Sequence, residues 1–272
     1  MSAAQGSARR VLLNLGCGVR TNPEWVNIDW SLKLRLSRLP LVRRLVSCPG
    51  GVMIHDLRKG IPFADGSVDA VYSSHVLEHL MREHAALFLK EMFRVLKPGG
   101  TVRIVVPDLE AAARNYLQAL ERVRLGAPDR ETRDDYEWST ILLLDQMVRT
   151  RAGGEMASWL SENHDSPVVA SFVGTLREIA GSLAPGRVER GVKARLAALM
   201  RPSDPAKSGE LHRWMYDAYS LRGLMEGAGF REVTACTHLD SRIDGWQGFW
   251  LDNNADGTPH QPDSVWMEGV RP

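Results

Sequence analysis

Val11-Leu-Leu-Asn-Leu-Gly-Cys-Gly18 is an apolar run that ends in two glycines one residue apart. Such a run closing on Gly-x-Gly reads as a buried strand whose C-terminal turn lets backbone come close to something else. A bound cofactor and a purely structural strand-to-turn corner both fit the octapeptide alone. Its surroundings separate the two.

Outward from the corner, Trp25-Val-Asn-Ile-Asp29 reads as a second strand ending in an acid. Only 11 residues lead from Gly18 to Asp29. A crossover normally takes at least about 10 to 12 residues before the strand is counted, so the first helix should shrink to about a turn. Val52 to Ile54 gives a third strand before His55-Asp56-Leu57, and Asp69 to Ser74 a fourth after the loop Ile61 to Asp65. Residues 82–96 place Ala85, Leu89, Met92, Phe93 and Leu96 on one helical stripe. Lys97-Pro-Gly-Gly100 stops that helix, and Thr101 to Pro107 is the fifth strand. Helix stop followed by strand start marks a β-α-β unit. Asp108 then stands where a helix N-cap belongs.

In this order the motifs resemble the class I S-adenosylmethionine (SAM)-dependent methyltransferases, in particular the type 11 group, over residues 10–108 and again over 212–270. The resemblance implies an α/β, Rossmann-like fold with a seven-stranded sheet and a helical insertion between the fifth strand and the last core helix. Residues 1–9 read as a disordered leader, 10–108 and 210–272 as the SAM-binding domain, and 109–209 as an insertion forming a substrate lid or a dimer surface. The implied cofactor is SAM, with S-adenosylhomocysteine as product. Its implied binding set is Asn14, Gly16, Cys17, Gly18, Asp29, Trp30, Asp56, Leu57, Ser73 and His75. Within that set Asp29 would accept from the ribose hydroxyls, because a carboxylate offers two acceptor oxygens in one plane, and Asp56 from the adenine amino group. As an alternative, Asp29 caps the next helix.

His75-Val-Leu-Glu78-His79 reads as the first turns of a helix, with positions 75, 78 and 79 on one face. Some SAM enzymes carry Glu-x-x-Glu-His here and hold a divalent metal. In this chain His75 replaces the first glutamate, and magnesium prefers oxygen to imidazole. His75, Glu78 and His79 are therefore a candidate metal set against which a metal-free pocket lining is weighed.

The insertion reads as helices over Asp134 to Arg149, Ser166 to Leu183 and Arg187 to Met200. The family pattern resumes at Glu210-Leu-His-Arg-Trp-Met-Tyr216, with Ser220 as N-cap and Gly229 as terminator of the last core helix. Arg231 to His238 and Ser264 to Arg271 should pair as antiparallel strands. Catalytic candidates are His212 as general base, His75 and Asp108; a surface position is the other reading of His212, and helix capping that of Asp108. Tyr216, Tyr219 and Trp246 are substrate-binding candidates, since aromatic faces suit the apolar side of a sugar. For Trp246 a place in the core is the competing reading.

These residues point to O-methylation of a sugar or other hydroxylated acceptor, the glycan acceptor resting on resemblance to enzymes of glycan assembly. Transfer to a phenol, nitrogen or carbon, and a SAM-binding scaffold without turnover, are the alternatives. With 272 residues, 44% hydrophobic and 25% charged, the chain can bury a full core. A net charge of +1 creates no overall field toward nucleic acid, and no nucleic-acid partner is expected. The basic, leucine-rich residues 31–46 (Lys33, Arg35, Arg38, Arg43, Arg44) read as an exposed flap, a substrate lid or a membrane-surface helix. Three scattered cysteines and an N-terminus without an apolar signal core suit a cytoplasmic protein.

Overall fold

The computed structural model describes residues 10–31, 34–35, 50–168, 209 and 211–272. The expected leader, most of the basic segment, and the helices expected over 166–183 (past residue 168) and 187–200 lie outside the described residues.

Seven strands form one sheet in the order β3-β2-β1-β4-β5-β7-β6. They are β1 Leu12–Leu15, β2 Val26–Asp29, β3 Met53–Ile54, β4 Val68–Ser74, β5 Leu96–Pro107, β6 Arg231–Cys236 and β7 Ser264–Val270. Strands β1 to β5 pair in parallel, whereas β7 runs antiparallel to both β5 and β6. The sheet order reverses beside β1, which puts the ends of β1 and β4 where open α/β sheets bind ligands. Strand β5 begins earlier than expected, at Leu96. The Lys97-Pro-Gly-Gly100 segment is a bulge inside it, between the pairs Val68–Leu96 and Ala70–Thr101.

The helices among the described residues are α1 Arg82–Val95, α2 Leu109–Arg124, α3 Arg130–Val148, α4 Gly154–Glu162 and α5 Ala218–Gly227. Helix α5 starts before Ser220, because Asp217 is the true N-cap and Ser220 completes a reciprocal capping box with it. The residues after β4 do not begin a long helix either. Leu77–His79 is a single 3-10 turn, and α1 starts only at Arg82.

Alternation along the strands sends Leu13, Leu15, Val71 and Ile104 to one face, where Leu89 and Met92 of α1 and Leu221 and Met225 of α5 cover them. Leu12, Ala70, Tyr72 and Val105 face the other way. As the short β1–β2 link predicts, that link is turns without a helix. The loop between β6 and β7 covers this face, through Ile243, Trp246, Phe249 and Leu251 packed with Trp25. Trp246 is thus corrected from a substrate residue to a core one. It is 3% exposed, lies 6.1 Å from Trp25 edge to face, and donates its indole N–H to the His238 carbonyl.

Beneath Trp246 lies Arg103, 0% exposed, its guanidinium carbon 4.4 Å from the ring centroid. Arg103 donates to Asp252 at 2.7 Å and Glu268 at 2.9 Å, and to the carbonyls of Thr237 and Asp240. Tyr72 donates to the other oxygen of Asp252 at 2.5 Å. Burial and this carboxylate push the Tyr72 phenol well above its ordinary pKa, so it remains a donor.

Arg103→Met would leave two carboxylates buried without their cation, and we expect it to cost about 3–5 kcal/mol of stability. Urea denaturation followed by tryptophan fluorescence measures this; a variant as stable as the parent would show that the network does not hold the loop.

Candidate functional site

Gly16 takes φ +71°, and a Cβ placed on it would lie 2.3 Å from Val76 Cγ2. Only glycine lets the first residue after β1 touch the turn after β4. At Gly18, also left-handed at φ +51°, an added Cβ would meet nothing within 4 Å. The corner is braced by its own chain. The amides of Gly16 and Cys17 donate to the Ile28 carbonyl, and that of Gly18 to Asp29 Oδ2 at 2.9 Å. These amides are therefore engaged, and the open space beside Gly18 is what the corner offers a ligand. Cys17 is buried, and burial followed by the Asp29 charge pushes its thiol up to about 12.

Asp29 ends β2 with its second oxygen accepting from the Ser31 amide at 2.6 Å. Each oxygen keeps a further lone pair for a ligand hydroxyl. Trp30 is next in the chain, partly exposed, with Arg35 stacked 4.4 Å from its ring centroid. Across the gap, Asp56 caps a 3-10 turn and is gripped by Arg58 through two contacts of 2.8 Å. The Arg58 hydrogen bond holds the Asp56 carboxyl below its usual range. Leu57, Val76, Leu80 and Phe88 line a cavity of about 180 Å³ beside it.

Two members of the expected cofactor set point elsewhere. Asn14, 1% exposed, donates to the Arg20 carbonyl and to Asn27 Oδ1, tying β1 to the helix-free link. Ser73, 3% exposed, donates to the Leu15 carbonyl. Both face the sheet interior because they lie one residue or more inside their strand ends. Asp108 caps α2, accepting from the amides of Glu110 and Ala111. Its backbone bridges to Tyr216 and donates to the Asp263 carbonyl.

His75 stands at the end of β4 with φ +52°, an uncommon value outside glycine. Its Nε2 lies 3.0 Å from Ser264 Oγ and its Nδ1 3.3 Å from Glu78 Oε1, with 27% of the side chain exposed. Glu78 is 0% exposed. Its burial favours the neutral form, but His75, His79 and His212 together hold its pKa below the usual value. His79 Nδ1 lies 3.2 Å from the Leu211 carbonyl, and its ring meets that of His212 edge to face at 4.8 Å. His212 is 4% exposed, and burial pushes its pKa down to about 4. That enclosed, weakly basic ring is poorly placed to be the general base expected of it.

Among the described residues the ligand atoms that converge are those of Glu78, His79 and His212, so His212 takes the place of His75 in the expected metal set, while His75 keeps its contact with Glu78. Sequence spacing gives no sign of this, because more than 130 residues separate His79 from Leu211. The fold also brings Arg20 within 2.7 Å of Asn254 and 2.6 Å of His260, carrying the β6–β7 loop to the glycine corner. Tyr219 and Trp214 line an open cavity of about 530 Å³ with Arg82 and Tyr216. Tyr219 is 89% exposed, whereas Tyr216 is buried with no hydrogen-bond partner for its hydroxyl among the described residues.

A parallel five-stranded half followed by an antiparallel β7, with a glycine corner after β1 and an acid after β2, defines the class I methyltransferase fold. Residues 13–104 match the methyltransferase domain family of type 11 and lie within a class I SAM-dependent methyltransferase fold that β6 and β7 complete. A stretch of 57 residues is 42% identical to a probable S-adenosylmethionine-dependent methyltransferase of Mycolicibacterium smegmatis; it covers 20% of this chain and 21% of that protein. Among solved structures, a Haloferax volcanii methyltransferase in complex with the Trm112 activator is 14% identical over 98% of this chain and 84% of its own, with a TM-score of 0.40. A SAM-dependent methyltransferase from Archaeoglobus fulgidus is 12% identical over 96% and 86%, also at 0.40. The fold assignment stands on the strand order.

Replacing Asp29 by Ala removes the charged acceptor at the end of β2. We expect roughly tenfold or greater weakening of S-adenosylhomocysteine binding, read by isothermal titration. Unchanged affinity would take Asp29 out of the site.

Proposed function

We propose that the chain methylates a hydroxyl of a sugar or other polyhydroxylated acceptor. SAM, when bound, supplies an activated methyl group. Gly18 and Asp29 would hold its amino-acid and ribose parts. Trp30 and Leu57 would flank the adenine, with Asp56 able to accept from its amino group once Arg58 swings aside.

The observation that carries the acceptor reading is the cavity where Trp214 and Tyr219 stand with Arg82. Trp214 joins the 3-10 turn through its amide, which lies 3.2 Å from the Glu78 carbonyl. The exposed Tyr219 ring, with the Arg82 guanidinium stacked on Trp214 beside it, suits a ring that is apolar on one side and rich in hydroxyls on its rim. His75 is the accessible imidazole at the strand end and is the proposed acceptor of the hydroxyl proton, with Ser264 and Glu78 orienting its ring. Asp108 serves as the cap of α2. The helices α2 to α4, with Leu117, Leu144 and Val148 exposed, fit a lid or a dimer surface. Among the described residues no helix is long and apolar enough to cross a membrane.

The test is release of S-adenosylhomocysteine from SAM with a panel of sugars, glycosides, phenols and amines. Turnover with a sugar, lowered about 100-fold or more by His75→Ala with S-adenosylhomocysteine affinity retained, is the expected result. Turnover with phenols or amines alone would move the acceptor class. Tight SAM binding with no turnover would favour a scaffold.

A further inference from the structure

Glu78 is the least expected side chain of the site. It is a carboxylate with no exposed surface, and among the described residues neither oxygen accepts a well-formed hydrogen bond. The His75 contact at 3.3 Å is close, but it is not a well-formed hydrogen bond. A buried carboxylate without a donor is costly and calls for a positive partner. Arg149 bonds Asp145 at 2.6 Å, and Arg82 stacks on Trp214. Facing Glu78 are imidazoles.

Those imidazoles are arranged as ligands. With His79 Nδ1–H donating to the Leu211 carbonyl, the lone pair of that ring sits on Nε2, which lies 3.9 Å from Glu78 Oε1. In the neutral ring that lone pair faces the carboxylate, and a cation held between them, a proton or a metal ion, turns the repulsion into attraction. A histidine whose far nitrogen donates to a backbone carbonyl is the usual supporting arrangement for a metal ligand. His212 completes the group, and one ligand atom from each of Glu78, His79 and His212 lies within 4.8 Å of the others. The main chain fixes the three relative to one another. The His212 amide donates to the Gln146 carbonyl of α3, and the amides of Arg213 and Trp214 donate to the carbonyl of Glu78 itself.

We infer that Glu78, His79 and His212 bind one divalent transition-metal ion beside the glycine corner. Two imidazoles and one carboxylate favour zinc, cobalt or iron(II) over magnesium or calcium, whose preferred ligands are oxygens. Val76, two residues before Glu78, is the side chain that packs on Gly16, so the ion neighbours the methyl-transfer site. Three protein ligands leave a position for water or an acceptor hydroxyl, whose proton a metal makes easier to remove. Binding of the ion itself does not depend on the acceptor being a sugar.

The experiment uses the untagged chain, stripped with a chelator and titrated with cobalt(II) and zinc(II). Metal content by plasma mass spectrometry, the visible spectrum of the cobalt form and the thermal midpoint are the readouts. We expect about one ion per chain, ligand-field bands with cobalt, and a raised midpoint with zinc. Glu78→Gln, His79→Ala and His212→Ala should each weaken metal binding tenfold or more, and His164→Ala, at an exposed position, should leave it unchanged. Parent protein that takes up no cobalt or zinc overturns the inference, as does equal uptake by the folded variants. If the variants do not fold, the stoichiometry and cobalt spectrum of the parent decide the matter. Metal binding without methyl transfer would leave this site standing and remove the proposed reaction.

Discussion

The contacts of Arg103 with Asp252 and Glu268 hold the second face of the sheet closed, and the site depends on that closure. The β1–β2 link is too short to build a helix, so Leu12, Ala70, Tyr72 and Val105 would otherwise meet water. The β6–β7 loop covers them instead, with Trp246 stacked on the guanidinium and Asp252 bonded to Tyr72. A buried ionic group of this kind contributes less through net attraction than through penalising every arrangement that leaves its charges unpaired. It fixes one seat for a long irregular loop. The same loop then reaches the glycine corner through Asn254 and His260 on Arg20.

On the opposite face, ordinary hydrophobic packing positions the chemistry. Helices α1 and α5 bury their stripes against β1, β4 and β5. Their packing presents the 3-10 turn Leu77–His79 at the sheet edge between them. Val76 meets Gly16 on one side of that turn, and Glu78 meets the returning chain at Arg213 and Trp214 on the other. Glycine corner and histidine cluster are thus two ends of one short backbone segment.

Much of this was legible in the sequence. Strands β1 to β5 declare themselves because apolar runs end on Gly16, Asp29, Asp56, His75 and Asp108, residues that either turn the chain or cap the next element. The same local logic finds Asp29 at the end of β2. It fails where burial is decided at a distance. Asn14 and Ser73 lie in the strands just before the corner residues, but pleating and hydrogen-bond demand turn them inward. Trp246 could be read as surface or core until it is known that the first crossover has no helix; the 11-residue spacing from Gly18 to Asp29 held that clue. His212 carries no local signal at all. The i, i+3, i+4 spacing of His75, Glu78 and His79 correctly gathered those side chains, but through a 3-10 turn and a left-handed His75 rather than through an α-helix.

The bridge between Asp108 and Tyr216 means that the chain departs from the sheet and comes back through a single doorway. Because the two jambs are already joined, whatever is hung between them adds little closure entropy and imposes no strain on the frame. Lengthening or trimming the stretch between them, short of the Arg213 and Trp214 amides that hold the Glu78 carbonyl, would leave the seven-stranded sheet intact.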